Sequence, residues 1–139
     1  MKVKDIMTAS VVKIGQNEPV AVAARTLAHY NIGALPVCDE KGRLCGIVTD
    51  RDIVTRCLAA DMEPSKTQVK QVMTAAVKTI DTEADAAEAA RVMGSNQIRR
   101  LPVIEDDKIC GILSLGDLSQ NDKAANALSR ISRNCSDRN

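Results

Sequence analysis

The chain has 139 residues, 45% of them apolar and 27% charged, the length of one ordinary domain and the balance of a protein that buries a core. Its 19 Lys and Arg stand against 18 Asp and Glu, so no net field draws it to nucleic acid or to an anionic membrane. Phe and Trp are absent and Tyr30 is the single aromatic residue, which excludes the stacking platforms of single-strand binders and leaves the core to Ala, Val, Ile, Leu and Met.

In chain order, Met1-Lys2-Val3-Lys4-Asp5 carries charge where a signal peptide would be apolar, and no apolar run of about 18 residues follows, so a cytoplasmic location is expected. A short strand is expected over residues 11–14. A helix follows, with Asn17 as its cap and Pro19 in its first turn, and Val20, Ala23, Ala24, Leu27 and Ala28 form an apolar stripe at helical spacing. Strands are expected over residues 34–38 and 44–48, joined by Asp39-Glu40-Lys41-Gly42-Arg43, a loop whose length and Gly suit a hairpin. A second helix opens after Thr49. Residues 61–68 are polar and contain Pro64, which predicts a linker.

The pattern then starts again: a strand over 77–80, a helix from about 83 to 94, a hairpin closed by Glu105-Asp106-Asp107-Lys108, and a helix after Ser114. An offset of 66 places Val3-Lys4-Asp5-Ile6-Met7-Thr8 over Val69-Lys70-Gln71-Val72-Met73-Thr74 and Leu35-Pro36-Val37 over Leu101-Pro102-Val103. After one deletion, Cys45-Gly46-Ile47 lies over Cys110-Gly111-Ile112, and Asp52 over Asp117. The chain is an internal duplication. The fold class expected is α/β (α+β), two tandem strand-helix-strand-strand-helix repeats related by a pseudo-twofold axis. The boundaries are 1–60 for the first repeat, 61–68 for the linker, 69–130 for the second repeat and 131–139 for a frayed tail without periodicity.

Five cysteines, Cys38, Cys45, Cys57, Cys110 and Cys135, are odd in number and lack C-x-x-C spacing, which predicts reduced thiols in packing roles. His29 is the only histidine and no ligand cluster accompanies it, so no metal site is expected. The best chemistry lies in Gly46-Ile47-Val48-Thr49-Asp50-Arg51-Asp52 and its copy Gly111-Ile112-Leu113-Ser114-Leu115-Gly116-Asp117. Each is a strand ending in a hydroxyl residue that opens a helix, where unpaired N–H groups and the helix dipole favour an anion such as phosphate. The carboxylate three residues on can accept both hydrogen bonds of a vicinal diol such as a ribose. Thr-x-x-Asp and Ser-x-x-Asp are equally the pattern of a capping box, in which the acid serves its own helix start.

Two copies of Met-Thr, then Leu-Pro-Val, then Gly-Ile-x-Thr/Ser-x-x-Asp resemble a CBS domain pair, or Bateman module, over about residues 1–130. The resemblance implies that Thr49, Asp52, Ser114 and Asp117 hold the phosphate and ribose of an adenine nucleotide in clefts between the repeats. It also implies main-chain and apolar contacts to the base from Thr8, Ala9, Ser10 and Val11 and from Thr74, Ala75, Ala76 and Val77. Basic residues ahead of Leu-Pro-Val often serve phosphate in this family, and here copy two has Arg99 and Arg100 where copy one has Gly33 and Ala34. The two clefts are therefore expected to be unequal.

The resulting expectation is a regulatory module, not an enzyme, that binds AMP, ADP or ATP and signals occupancy to a protein partner or to its own assembly. A homodimer is implied, with the nucleotide as regulatory ligand and no other cofactor. The alternatives are a ligand-free interaction scaffold, in which both motifs are caps only, and a sensor of another adenosyl ligand such as S-adenosylmethionine or NADH.

Overall fold

A computed structural model describes residues 1–119. The expected end of the second repeat, the tail at 131–139 and Cys135 lie outside these residues. In chain order the elements are β1 (Ile14–Gly15), α1 (Val20–Tyr30), β2 (Ala34–Cys38), β3 (Leu44–Thr49), α2 (Asp50–Ile53, continued by a π-helical turn over Val54–Leu58), β4 (Ile80–Asp81), α3 (Ala86–Asn96), β5 (Arg100–Glu105), β6 (Lys108–Ser114) and α4 (Leu115–Leu118). Strand, helix, strand, strand, helix thus occurs twice, as the repeat predicts.

The strands form two three-stranded sheets, ordered β1-β2-β3 and β4-β5-β6. In each, the first strand runs parallel to the middle one, pairing Ile14 with Val37 and Ile80 with Val103, and the hairpin is antiparallel. The first strands are shorter and later than the 11–14 and 77–80 expected from sequence. Pro36 and Pro102 supply the reason: a central strand cannot continue its ladder across a residue without an N–H, so pairing begins one residue beyond each proline.

Helix α1 corrects a second expectation. Pro19, not Asn17, is its N-cap, and Asn17 Nδ2 instead donates to Glu40 Oε1 at 2.9 Å. With no side-chain cap, the first N–H groups find backbone carbonyls: Val20 N donates to Thr67 O at 2.8 Å and Ala21 N to Pro64 O at 3.0 Å. Residues 61–68 therefore do more than link, since their carbonyls complete the helix and the Thr67 side chain is buried. The same arrangement recurs at α3, which starts at Ala86 and not at Glu83, where Ala86 N donates to Met1 O at 2.8 Å. Both helices end alike, with Asn31 and Gln97 in the left-handed region at φ 53° and the next N–H returning to Leu27 or Met93.

These contacts divide the chain into two compact units, Met1–Val11 together with the chain from Lys78, and Val12–Val77. We call them unit 1 and unit 2. The packing units are offset from the sequence repeats, because the segment that opens each copy packs on the body of the other. Val3 is fully buried in the unit 1 core with Ile80, Ala89, Met93, Leu101, Val103 and Leu113. Val69 and Val72 are buried in the unit 2 core with Val20, Leu27, Leu35, Val37, Val48 and Cys57. Of the expected α1 stripe, Val20, Ala23 and Leu27 are buried, Ala24 is half-buried and Ala28 is exposed. Among the described residues, no helix is long and apolar enough to cross a membrane.

Candidate functional site

Each unit brings its chemical residues together around the end of its hairpin. In unit 1, Thr8 and Ile112 exchange two backbone hydrogen bonds of 2.9 Å, an antiparallel bridge that fixes Thr8 against β6 two residues before Ser114. In unit 2, Thr74 and Ile47 make the same exchange at 2.8 and 2.9 Å, fixing Thr74 against β3 two residues before Thr49. The approach is close enough to require glycine on the strand. A Cβ on Gly46 would stand 2.7 Å from Met73 Sδ and 2.9 Å from Thr74 O, and one on Gly111 would meet Met7 Sδ and stand 3.0 Å from Thr8 O. The recurring Met-Thr and Cys-Gly-Ile motifs are thus two sides of one contact, which explains why both are present in both copies.

The hydroxyl and carboxylate pairs form capping boxes. Asp52 N donates to Thr49 Oγ1 at 3.0 Å while Thr49 N donates to Asp52 Oδ2 at 3.1 Å. Asp117 N donates to Ser114 Oγ at 3.2 Å while Ser114 N donates to Asp117 Oδ2 at 2.8 Å. These bonds use only the acceptor side of each hydroxyl and one oxygen of each carboxylate. The hydroxyl hydrogen can still donate to an anion, and Oδ1 can still accept from a diol, so capping and ligand contact are compatible. Asp52 is buried at 8% exposure, and its Oδ1 faces Arg56 Nε at 3.9 Å. Arg56 Nη1 also donates to the carbonyls of Val72 and Met73 at 3.2 Å, which ties it down within unit 2. Sequence reasoning missed Arg56, although its place one helical turn after Asp52 was the signal for it.

Arg99 and Arg100 sit where β5 begins, on the same side of the hairpin as Ser114: Arg100 pairs with Ser114 across the ladder, and Leu115 N donates to Arg99 O at 3.1 Å. Arg100 is exposed, whereas Arg99 is half-buried and its Nε is a buried donor without a hydrogen-bond partner among the described residues. In unit 2 the same places are held by Gly33 and Ala34, with Ala34 opposite Thr49.

The four described cysteines are free thiols. Burial pushes the thiols of Cys38, Cys45 and Cys110 up, away from the reactive thiolate, with Asp39 adding to the effect at Cys45 and Glu105 at Cys110. Cys45 Sγ and Cys110 Sγ donate to Val37 O and Val103 O at 3.4 Å, equivalent bonds of a packing residue. His29 lies exposed in the last turn of α1 with its ring edge-to-face on Tyr30 at 4.7 Å.

The comparisons with known proteins agree with this geometry. The CBS domain family profile matches residues 3–59 and 69–124, and the chain belongs to that family as a tandem CBS pair. It is 36% identical over 117 residues to Hypoxic response protein 1 of Mycobacterium tuberculosis, covering 84% of this chain and 82% of that protein. The crystal structure of that protein with two coordinated zinc ions superposes with a TM-score of 0.76, covering 87% of this chain and 98% of the other. CBS domain-containing protein YhcV of Bacillus subtilis is 37% identical over 134 residues, covering 94% of each chain. The CBS domain pair of protein MJ0100, solved with 5-methylthioadenosine and S-adenosyl-L-methionine, is 31% identical with a TM-score of 0.70, covering 86% of this chain and 94% of that one. Among the described residues of this chain, no three of His, Cys, Asp and Glu group as metal ligands.

Proposed function

We propose that the chain is a regulatory module that binds adenosyl ligands, with an adenine nucleotide (AMP, ADP or ATP) as its ligand. The observation that carries this reading is the composition of unit 1. Thr8 is bridged to β6 two residues before Ser114, Ser114 and Asp117 close the cap that follows, and Arg99 and Arg100 lie beside them where β5 begins; in this reading Thr8 to Val11 serve the base, Ser114 and Asp117 the phosphate and ribose, and the arginines the phosphate. Unit 2 offers Thr74, Thr49 and Asp52 in the same relation, without the arginines, and the reading gives Thr74 to Val77 to the base there. Arg99 Nε, a buried cationic donor with no hydrogen-bond partner among the described residues, is the kind of group that a phosphate oxygen satisfies. The adenosyl ligands of the MJ0100 pair support the class and favour a second reading, a sensor of S-adenosylmethionine or a related thioether.

Occupancy is transmitted, in this proposal, to a protein partner or to a homodimer of the chain in the cytoplasm, and no catalytic step is assigned. Tyr30, Val54 and Leu58 are exposed at 53%, 55% and 52% and offer apolar surface for such an assembly.

Thermal melts with AMP, ADP, ATP, S-adenosylmethionine and NADH test the reading on the wild type and on the Asp52→Ala and Asp117→Ala variants. A bound ligand at about a hundred times its Kd adds about 2.7 kcal/mol, a rise of several degrees. Because each aspartate also closes a cap, the readout is the ligand-induced shift within each variant. A shift lost in Asp117→Ala supports the site in unit 1; no shift with any ligand would leave the scaffold reading.

A further inference from the structure

One backbone hydrogen bond marks the same corner in both units. Asp50 N donates to Gly33 O at 3.1 Å in unit 2, and Leu115 N donates to Arg99 O at 3.1 Å in unit 1. The first helical residue after the capping hydroxyl is thereby fixed against the residue two ahead of Leu-Pro-Val. On this shared backbone the side chains reverse their charge. At the two ends of this backbone bond unit 1 carries Leu115 and the cation Arg99, and unit 2 carries the carboxylate Asp50 and a glycine. Asp50 Oδ2 lies 3.8 Å from where a Cβ on Gly33 would stand, so the carboxylate sits beside the position from which the Arg99 side chain starts in unit 1.

The surroundings reinforce the difference. In unit 2, Asp50 Oδ1 accepts from the backbone N–H of Arg51, while Arg56 is committed to Asp52 Oδ1 and to the carbonyls of Val72 and Met73. In unit 1, Arg99 and Arg100 outnumber Asp117, and Arg99 Nε has no hydrogen-bond partner among the described residues. A phosphate is drawn to the second corner and repelled by the exposed Asp50 of the first.

Building on the adenosyl reading above, we infer that the two units select ligands of different 5′ chemistry. Unit 1 takes the phosphate-bearing nucleotide, and unit 2 takes an adenosyl ligand whose 5′ substituent is uncharged or cationic, a thioether or sulfonium, with Asp50 as the specificity-determining residue. One like charge at such a corner changes affinity by about tenfold.

Isothermal titration of ATP and of 5-methylthioadenosine into the wild type, Asp50→Asn and Arg99→Gln tests this. Asp50 is exposed and Asn keeps its shape, so the first variant folds as the wild type does. The expected result is one ATP and one 5-methylthioadenosine per wild-type chain without competition. Arg99→Gln then weakens ATP about tenfold while leaving the thioether unchanged, and Asp50→Asn admits a second ATP. Competition between the two ligands for a single site, or an ATP stoichiometry unchanged in Asp50→Asn, overturns the inference and leaves the adenosyl reading standing. Failure of both ligands to bind any of the three proteins removes the adenosyl reading together with the inference.

Discussion

Unit 2 closes its hairpin with the longer loop, where Asp39 accepts from the backbone N–H groups of Lys41 and Arg43 and from Arg43 Nε, each at 2.9 Å, and Gly42 takes φ 81°. Unit 1 closes its own with Asp106 and Asp107 alone, at φ 53° and 65°, the two-residue turn that strand twist favours. The helices differ as well, α1 burying Val20, Ala23 and Leu27 and α3 burying Ala86, Ala89, Ala90 and Met93. Beneath these differences the glycine contact, the Leu-Pro-Val strand and the capping box are the same in both units. The comparison teaches that the duplicated chain holds fixed the points where backbones touch, while it varies loop, helix volume and charge at the corner that faces a ligand.

Three experiments would break or sharpen this comparison. The largest effect is expected from deleting residues 1–11. That removes the buried Val3, the Met1 carbonyl under α3 and the Thr8 bridge to β6, all from unit 1. Burial and hydrogen bonds of that kind sum to about 4 kcal/mol. Hydrogen exchange should show protection lost in β5 and β6 while β2 and β3 keep theirs; equal loss in both hairpins, or loss confined to β2 and β3, would refute the exchanged packing.

A smaller and symmetrical effect is expected from Gly46→Val and Gly111→Val. Each drives a branched side chain into a methionine sulfur and a threonine carbonyl and should cost about 2 kcal/mol in urea unfolding. Adding Met7→Ala to Gly111→Val should recover only part of the loss, because the Thr8 carbonyl remains in the way. Full recovery would show that the backbone approach is not the constraint.

The smallest effect concerns acid. Hydrogen bonds from Arg43, its backbone N–H first, hold the Asp39 carboxyl below the usual carboxylate range in unit 2. Hydrogen bonds from Lys2 and Lys4 do the same for Glu83 in unit 1. A depressed carboxyl stabilises the fold fully above its unfolded pKa, and the contribution is lost as pH falls through the lower folded value. Unfolding measured from about pH 5 downward should therefore show a shallower acid loss in Asp39→Asn and in Glu83→Gln than in the wild type. The Glu83 share should shrink further in high salt, since its lysine partners are exposed, as should any exposed pair. An acid limb that neither substitution alters would assign the loss to other carboxylates.

Much of this architecture was legible in the residues because it is local. Alternation and turn residues placed β2 and β3, and hydroxyl-x-x-acid spacing placed both caps, since a cap involves only four consecutive residues. The same spacing left cap and ligand contact open; the structure makes both caps, with the acceptor side of each hydroxyl and one oxygen of each carboxylate. Asn17 misled because Asn ahead of a helix is a good cap in isolation, and the carbonyls that do the capping at α1 come from Pro64 and Thr67, far along the chain. Asp50 was passed over because a charged residue in the first turn of a helix is ordinary until the loop beside it is known to be Gly33.

The sequence by itself determined the duplication, the order of elements in each copy, the family and the motif residues, all of which rest on spacing within a few turns or on identity between copies. Only the tertiary structure decided which copy each Met-Thr segment serves. Gly46-Ile47 and Gly111-Ile112 present nearly the same strand to it, so apolar complementarity does not choose between them. The choice falls to the chain connections that carry Thr8 to Ile112 and Thr74 to Ile47. The register of each hairpin, Ala34 opposite Thr49 and Arg100 opposite Ser114, in turn sets Gly33 against Asp50 and Arg99 against Leu115, the opposed corners that a linear reading kept apart.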